Sequence, residues 1–250
     1  CWIYRQYRQT HGPVNVTMAF EVSCYYFFFD VGRQVGIDTL DEYAAMFGLG
    51  QKTGVELYEE AGVVGGREFT ESLGQTWYEG SVTSVAIGQE STQVTPIQLT
   101  NYISTLVNGG TRYSTHLLKM VKSSDFSQVV YEYEPQVQGE INIAQENLDA
   151  VTEGMRDLTT GTGSLASAFQ TLPFEVGAKT GSAQVSSTSD SNAVFVCYAP
   201  YDDPEIAISL VVEHGGSGSV LASLAAEILA YYFTTPDSQS DVVTENTLVP

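Results

Sequence analysis

Residues 176–184 read VGAKTGSAQ, and they begin a series of three strand-like segments on which the predicted fold depends. The segments NAVFVCYAP at 192–200 and EIAISLVVEH at 205–214 follow after short connections. Short connections favour antiparallel pairing, because parallel strands need a long crossover between them. The three segments therefore predict an antiparallel meander with Lys179 on its first strand.

Helix signals flank this predicted sheet on both sides of the chain. The strongest is TPIQLTNYISTLVNGG at 95–110, where Thr95 is the predicted N-cap, Pro96 takes the first turn and Gln98 completes a capping box. The last helix signal is SVLASLAAEILAYYF at 219–233, which offers an apolar side to the sheet. The sequence thus predicts an α+β fold in which one antiparallel sheet is covered by helices.

Weaker patterns predict the remaining elements. Asn15 and Asp38 stand where the N-caps of two short helices are expected. Residues 51–94 are rich in glycine and weakly periodic, which indicates loops and short elements. The other predicted elements are a hairpin formed by 116–123 with 127–135 and a helix over 146–158.

The composition limits the classes of partner. Lys and Arg number 10 against 30 Asp and Glu, which gives a formal net charge of −20 over 250 residues. Such a chain repels phosphate backbones, so we expect no binding to nucleic acid. Hydrophobic residues make up 43% of the chain, enough for one sizeable core. No apolar run reaches the roughly 18 residues that a membrane span needs.

Neither a metal site nor a cofactor is predicted from the residue spacing. The cysteines and histidines show no metal-ligand spacing and no C-x-x-C pair; they are Cys1, Cys24, Cys197, His11, His116 and His214. The cysteines are expected to be small buried residues.

The triplet Lys-Thr-Gly occurs twice, and the two copies have different contexts. The first, residues 52–54, follows two glycines, but Gln51 breaks the pattern of a phosphate-binding loop, so nucleotide binding is not predicted there. The second, residues 179–181, lies among small residues on a predicted edge strand, where a substrate backbone can approach closely. A lysine held there can organise protons and attract a carboxylate.

An ordered series of segments resembles the transpeptidase domain of class B penicillin-binding proteins, cell-wall enzymes that cross-link peptidoglycan and are acylated by β-lactams. The series is CWIYRQYRQTHGPVNV at 1–16, AFEVSCYYFF at 19–28, FGLGQKTGVELYEEAG at 47–62, AIGQESTQVTPIQLTNYISTLVNGG at 86–110 and VGAKTGSAQ at 176–184. The resemblance implies a partial transpeptidase domain over 1–233, and residues 234–250 are expected to form an acidic, mobile tail. It also implies a membrane-anchored parent protein that works on the extracytoplasmic side of the bacterial cell membrane.

The resemblance assigns roles to individual residues. Ser23 matches the serine of the Ser-x-Asn motif, a proton relay between two lysines, and Lys179 matches the lysine of the third motif. Thr180 and Ser182 match the hydroxyls that bind the carboxylate of a stem peptide or a β-lactam. The backbone N–H of Ser182 matches one half of the oxyanion hole, and Gly181 keeps the strand open to the substrate.

Two departures from the family pattern affect the expected activity. Tyr25 stands where the family has the asparagine of Ser-x-Asn, and a phenol cannot donate and accept as an amide does at the same distance. The chain also contains no Ser-x-x-Lys, because the residues three positions before its four lysines are Leu49, His116, Lys119 and Val176. The nucleophile is thus expected in a missing N-terminal part of the domain, and this chain alone is predicted to be inactive.

Two other hypotheses about the function stay open at this point. A non-catalytic relative could bind peptidoglycan or a partner protein without acylation, and a hydrolase related to β-lactamases is less favoured because the 86–110 segment points to transpeptidases. The extracytoplasmic location also implies that Cys1 and Cys24, which flank a short helical segment, could form a disulfide; two free thiols are the alternative.

Overall fold

The structure, a computed structural model, describes residues 1–186 and 188–235. Its α-helices are α1 Trp2–Tyr7, α2 Val16–Glu21, α3 Tyr25–Val35, α4 Ile37–Met46, α5 Arg67–Ser72, α6 Val82–Val85, α7 Pro96–Val107, α8 Gln145–Asp157, α9 Ala166–Phe169 and α10 Ala222–Thr234. Its strands are β1 Thr111–Tyr113, β2 Met120–Lys122, β3 Val129–Glu132, β4 Val137–Glu140, β5 Gly177–Ala183, β6 Asn192–Ala199 and β7 Ile206–Val212. Short 3-10 helices precede α6 at Glu79–Ser81 and α10 at Gly218–Leu221.

The predicted meander is confirmed as a three-stranded antiparallel sheet in the order β5-β6-β7. Lys179 lies opposite Val196, and Phe195 lies opposite Leu210, with no break in either register. The central strand β6 is almost entirely shielded from solvent, as its run of apolar residues requires. Strand β5, which carries the second Lys-Thr-Gly, is an edge strand.

The sheet separates two apolar clusters. On one face, α9 and α10 pack against it through a core that includes Phe169, Phe195 and Leu229. On the other face, Ile103 of α7, Met155 of α8 and the ring of Tyr198 form a second cluster. The predicted α+β architecture, one antiparallel sheet covered by helices, is therefore confirmed, with two small two-stranded sheets added to it.

Helix α7 begins with the predicted capping box. The Thr95 hydroxyl accepts from the Gln98 N–H at 3.3 Å, and the Gln98 side-chain oxygen accepts from the Thr95 N–H at 2.9 Å. The Gln98 amide is also buried, and it donates to the carbonyls of Gln51 at 2.5 Å and Ala61 at 2.7 Å. One side chain thus caps the helix and ties down the loop that contains the first Lys-Thr-Gly.

The predicted hairpin is confirmed by the antiparallel pair of β2 and β3, and β1 pairs with β4 in a second small sheet. The predicted helix over 146–158 is observed one residue earlier as α8. Residues 51–94 contain only α5, α6, a 3-10 turn and an isolated bridge between Val63 and Gln93, in agreement with the predicted loops.

One predicted helix cap is wrong and another is confirmed. Asn15 caps α2 as expected, since its side-chain oxygen accepts from the Met18 N–H at 2.9 Å. Asp38 does not cap α4; the N-cap is Gly36, and Asp38 lies in the first turn of the helix. Glycine precedes the helix here because the backbone has a φ of 83°, a left-handed value that disfavours other residues.

The predicted tail lies almost wholly beyond the described residues, since α10 ends at Thr234 and residues 236–250 are not described. The described helices include none that is both long and apolar enough to cross a membrane.

Candidate active site

Ser23 occupies a strained turn between α2 and α3. The Cys24 N–H donates to the Ala19 carbonyl at 2.9 Å and the Ser23 N–H to the Phe20 carbonyl at 3.3 Å, which is the Schellman pattern of a helix end. The left-handed position in this pattern usually holds glycine, but here it holds Ser23 with a φ of 49°. A side chain in that conformation costs about 1–2 kcal/mol, and such strain concentrates at functional sites.

Lys179 projects from β5 to the Ser23 turn. Its ammonium donates to the Ser23 hydroxyl oxygen at 2.5 Å and to the Thr180 carbonyl at 3.3 Å. Desolvation by the surrounding protein lowers the pKa of Lys179 from 10.5 to about 8. Near neutral pH, a lysine of this kind can give up and regain a proton, so the pair can pass a proton between its two atoms.

Helix α8 connects the two halves of this pair. It packs against β5 on one side and against α2 on the other. The Thr17 hydroxyl donates to the Ala150 carbonyl at 3.0 Å across the α2–α8 contact. At Gly154, an added Cβ would lie 2.5 Å from the Thr17 carbonyl oxygen and 2.7 Å from the Phe20 Cβ, so the helices approach as closely as glycine permits.

The other predicted residues of the third motif lie next to Lys179 on the edge strand. Side chains alternate along a strand, so Thr180 and Ser182 share the face opposite to Lys179. Among the described residues, neither hydroxyl has a hydrogen-bond partner. The turn after β7 crosses close to Gly181, because a Cβ on Gly218 would lie 2.4 Å from the Gly181 carbonyl oxygen.

Tyr25 is the first residue of α3, two positions after Ser23. Its ring is partly buried, and it lies 6.3 Å from the Phe29 ring, measured between centroids. The structure therefore places all six predicted residues in one region formed by the start of α3, the Ser23 turn and strand β5.

A cluster of possible metal ligands, which the residue spacing did not predict, lies beside this region. Cys1, His11 and Cys24 bring two sulfur atoms and a ring nitrogen to within 4.8 Å of one another. The two cysteines are free thiols, and the Cys1 sulfur lies 3.7 Å from His11 Nδ1. Thiolate and imidazole are ligands that zinc prefers, so these side chains could hold a metal ion. The intervals of ten and thirteen residues form no local motif, and only the α1–α2 fold brings them together.

Trp2 lies within the segment 1–16 that resembles the family, but the resemblance assigned it no role. Its indole N–H points at the Ser23 turn and donates to the carbonyls of Ser23 at 3.1 Å and Val22 at 3.3 Å. The Trp2 ring is also tilted against the imidazole of His11, with 5.6 Å between the ring centroids. Nothing in the spacing of Trp2 signals this contact, because it joins residues 20 and 21 positions apart.

The chain is similar to known proteins of one family. The profile of the family described as "Penicillin binding protein transpeptidase domain" matches residues 1–230. The peptidoglycan D,D-transpeptidase MrdA of Escherichia coli K12 is 32% identical, over 98% of this chain and 41% of that protein.

Two solved structures have the same fold. The Pseudomonas aeruginosa PBP2 in complex with WCK 5153 has a TM-score of 0.78 and 29% identity, over 90% of this chain and 50% of that one. The Helicobacter pylori PBP2 in complex with MreC has a TM-score of 0.76 and 27% identity, over 89% of this chain and 41% of that one. The chain thus spans half or less of the length of these relatives.

Proposed function

Because this chain belongs to the penicillin-binding protein transpeptidase family, we propose that it is part of a peptidoglycan D,D-transpeptidase that works through a serine acyl-enzyme. The observation that carries the proposal is the contact of the Lys179 ammonium with the Ser23 hydroxyl, which joins two motifs that are 156 residues apart. A desolvated lysine that is hydrogen-bonded to a strained serine contributes little to the stability of the fold. It is suited to proton transfer.

The reaction has two steps, and each needs a proton to be moved. A serine oxygen attacks the carbonyl between the two terminal D-alanines of a stem peptide, and its proton passes to the nitrogen of the departing D-alanine. An amine of a neighbouring stem then attacks the resulting ester, loses a proton, and releases the serine with its hydroxyl restored. Ser23 and Lys179 form part of the relay for both transfers.

The remaining motif residues bind and orient the substrate. The hydroxyls of Thr180 and Ser182 face the terminal carboxylate of the stem peptide or the carboxylate of a β-lactam. The Ser182 N–H donates to the developing oxyanion, and Gly181 lets the substrate backbone approach the edge of the sheet. Tyr25 lies where the peptide group of the substrate is held.

The attacking serine is not one of the serines in this chain. The chain has no Ser-x-x-Lys, and Ser23 relays protons instead of attacking. We place the nucleophile, its adjacent lysine and the second oxyanion donor in a segment that precedes Cys1 in the whole protein. That protein is membrane-anchored with this domain on the extracytoplasmic side, and its ligands are stem peptides and β-lactams.

Labelling with a fluorescent penicillin tests this proposal. The chain by itself should form no covalent adduct, because it lacks the nucleophile and one oxyanion donor, and the donor alone is worth about 3 kcal/mol of transition-state stabilisation. The protein extended through the segment before Cys1 should be labelled, and Lys179→Ala should reduce that labelling.

Three outcomes would contradict the proposal. A stoichiometric adduct on the 250-residue chain, mapped to one of its serines, would make that hydroxyl the nucleophile. An extended protein that binds stem peptides but is never acylated would support a non-catalytic peptidoglycan-binding relative instead. Rapid turnover of penicillin after labelling would favour the hydrolase.

A further inference from the structure

Trp2, to which the family resemblance assigned no role, restrains the Ser23 turn directly. The carbonyls that accept its indole N–H belong to Val22 and Ser23, at 3.3 Å and 3.1 Å. These carbonyls lie in the two peptide planes that flank the Ser23 Cα. Holding both planes fixes φ and ψ of Ser23, and with them the direction of its Cα–Cβ bond.

Such a restraint matters because the conformation of Ser23 is not its relaxed one. A φ of 49° is rarely adopted by residues other than glycine, so the turn relaxes unless surrounding contacts hold it. The Schellman bonds restrain the N–H groups of Ser23 and Cys24, at 3.3 Å and 2.9 Å, but leave the two carbonyls without a helix partner. The Trp2 indole supplies the donor that these carbonyls lack.

We propose that Trp2 is a positioning residue for the acylation chemistry: its indole N–H holds the left-handed turn so that the Ser23 hydroxyl meets the Lys179 ammonium. The contact between Trp2 and His11 keeps the indole in place, with ring centroids 5.6 Å apart. The hydrogen bonds of Trp2 go to the Ser23 turn, so its effect on Lys179 acts through Ser23. The expected effect of Trp2 on acylation rests on the proposed function. Its expected effect on Lys179 does not.

The chain offers a matched control because it has two tryptophans. The second, Trp77, packs beside the apolar cluster of Ile37, Val82 and Val85, and its buried indole N–H has no hydrogen-bond partner in the described part of the chain. Removing the N–H from Trp77 therefore tests packing alone, whereas removing it from Trp2 tests the hydrogen bonds as well.

The experiment compares Trp2→Phe and Trp77→Phe in the whole protein. A second pair replaces each indole in turn by 3-benzothienylalanine, in which sulfur stands in for the N–H and the shape is kept. The first readout is competitive acetylation of lysines by acetic anhydride at pH 6.5, where Lys179 is still mostly protonated, with Lys52, Lys119 and Lys122 as internal references. The second is acylation by penicillin, resolved into a dissociation constant for initial binding and a first-order acylation constant.

Loss of the Trp2 N–H should raise the acetylation of Lys179 about fivefold relative to the reference lysines, the effect of one lost hydrogen bond. The lysine then loses the acceptor that favours its charged form and is freer to react. The acylation constant should fall about tenfold, with initial binding unchanged, because a misplaced catalytic group slows chemistry without weakening binding. The Trp77 variants should change neither quantity.

Other outcomes overturn the inference. Lys179 acetylation that is the same in the Trp2 and Trp77 variants shows that the indole N–H does not hold Ser23. Slower acylation without a change at Lys179 also contradicts it, because the effect then does not act through the Ser23–Lys179 contact. If the unmodified protein is never acylated, the proposed function fails, and the acetylation ratio still decides the role of Trp2.

Discussion

Ser23 and Lys179 show what single residues contribute to this site. A serine at the end of α2 is an ordinary residue by composition, but its left-handed conformation aims the hydroxyl at a lysine on the edge of the sheet. The lysine reaches it because β5 is lined by small residues, and burial removes much of the water that would stabilise its charge. The chemistry of the pair therefore depends on backbone strain at one residue and desolvation at the other.

The pH dependence of Lys179 follows from its desolvation. Because burial lowers its pKa to about 8, the amine should reach half of its maximal reactivity towards acetic anhydride near pH 8. The standard, present in the same tube, is Nα-acetyl-lysine amide, whose side-chain amine has the ordinary pKa of about 10.4. A Lys179 profile that coincides with the standard would show that the side chain is well hydrated.

The same shift has a consequence for stability. The folded state binds fewer protons than the unfolded state between about pH 8 and 10.5, so Lys179 destabilises the fold below this window and the penalty disappears as the pH rises through it. Lys179→Met should therefore stabilise the protein more at pH 7 than at pH 10. Urea denaturation at the two values measures the difference, and an equal gain at both would contradict the assignment.

Tyr25 is predicted to stand where the family has the asparagine of Ser-x-Asn. If it stands in the place of an amide that holds the substrate, Tyr25→Asn should speed acylation of the whole protein by a β-lactam about fivefold, since a restored hydrogen bond in a desolvated cleft is worth about 1 kcal/mol. Tyr26→Asn is the control, because that neighbour is 71% exposed on the same helix. An unchanged or slower rate for Tyr25→Asn would mean that the phenol is adapted to this site.

At the scale of elements, α8 is the part that brings the Ser23 turn and the Lys179 strand together. It is packed against β5 and α2 at once, and the α2 contact depends on Gly154, where no Cβ fits. The distance between Lys179 and Ser23 is thus set by a helix that contains neither of them.

Gly154→Ala tests this packing. Alanine favours a helix by up to about 1 kcal/mol, but the clash with the Thr17 carbonyl and the Phe20 Cβ forces the helices apart. Overpacking of this kind costs about 1–3 kcal/mol, so we expect a net loss of stability in urea denaturation. Gly80→Ala is the control, because an added Cβ there meets no atom within 4 Å. A Gly154→Ala protein as stable as the original would show that the contact is loose.

The sequence was most informative where local rules decide the structure. The capping box at Thr95 and Gln98 and the three strands of the meander were predicted because side-chain chemistry and periodicity act over a few residues. The Asp38 cap was wrong because a glycine two positions earlier began the helix instead. The metal-ligand cluster of Cys1 could not be predicted, since its members meet only after α1 and α2 are packed.

In the candidate site, too, local patterns were predictable and contacts that depend on packing were not. Lys179 and its neighbours could be found from a motif, and Ser23 from its place in the ordered series of family segments. The Trp2 contact and the role of α8 had no signal in the sequence, because both depend on how helices pack against one another and against the sheet. Sequence motifs identify the candidate reacting residues, whereas the packing of helices and sheet sets the distances between them.

At the scale of the whole molecule, we propose that this chain is one part of a larger catalytic unit. The family match covers residues 1–230, yet the chain spans only 41% of the Escherichia coli relative. In the proposed function, the sheet, the Ser23 turn and the Lys179 strand supply the proton relay and the carboxylate site. We propose that the nucleophile is supplied by the remainder of the domain.

The most direct test of the account measures the reaction itself. The whole protein is incubated with a stem pentapeptide ending in D-Ala-D-Ala and with an amine acceptor peptide, and released D-alanine and cross-linked product are quantified by mass spectrometry. We expect D-alanine and cross-linked peptide to appear in equal amounts and Lys179→Ala to abolish both. Release of D-alanine without cross-linking, or turnover that persists in Lys179→Ala, would contradict it.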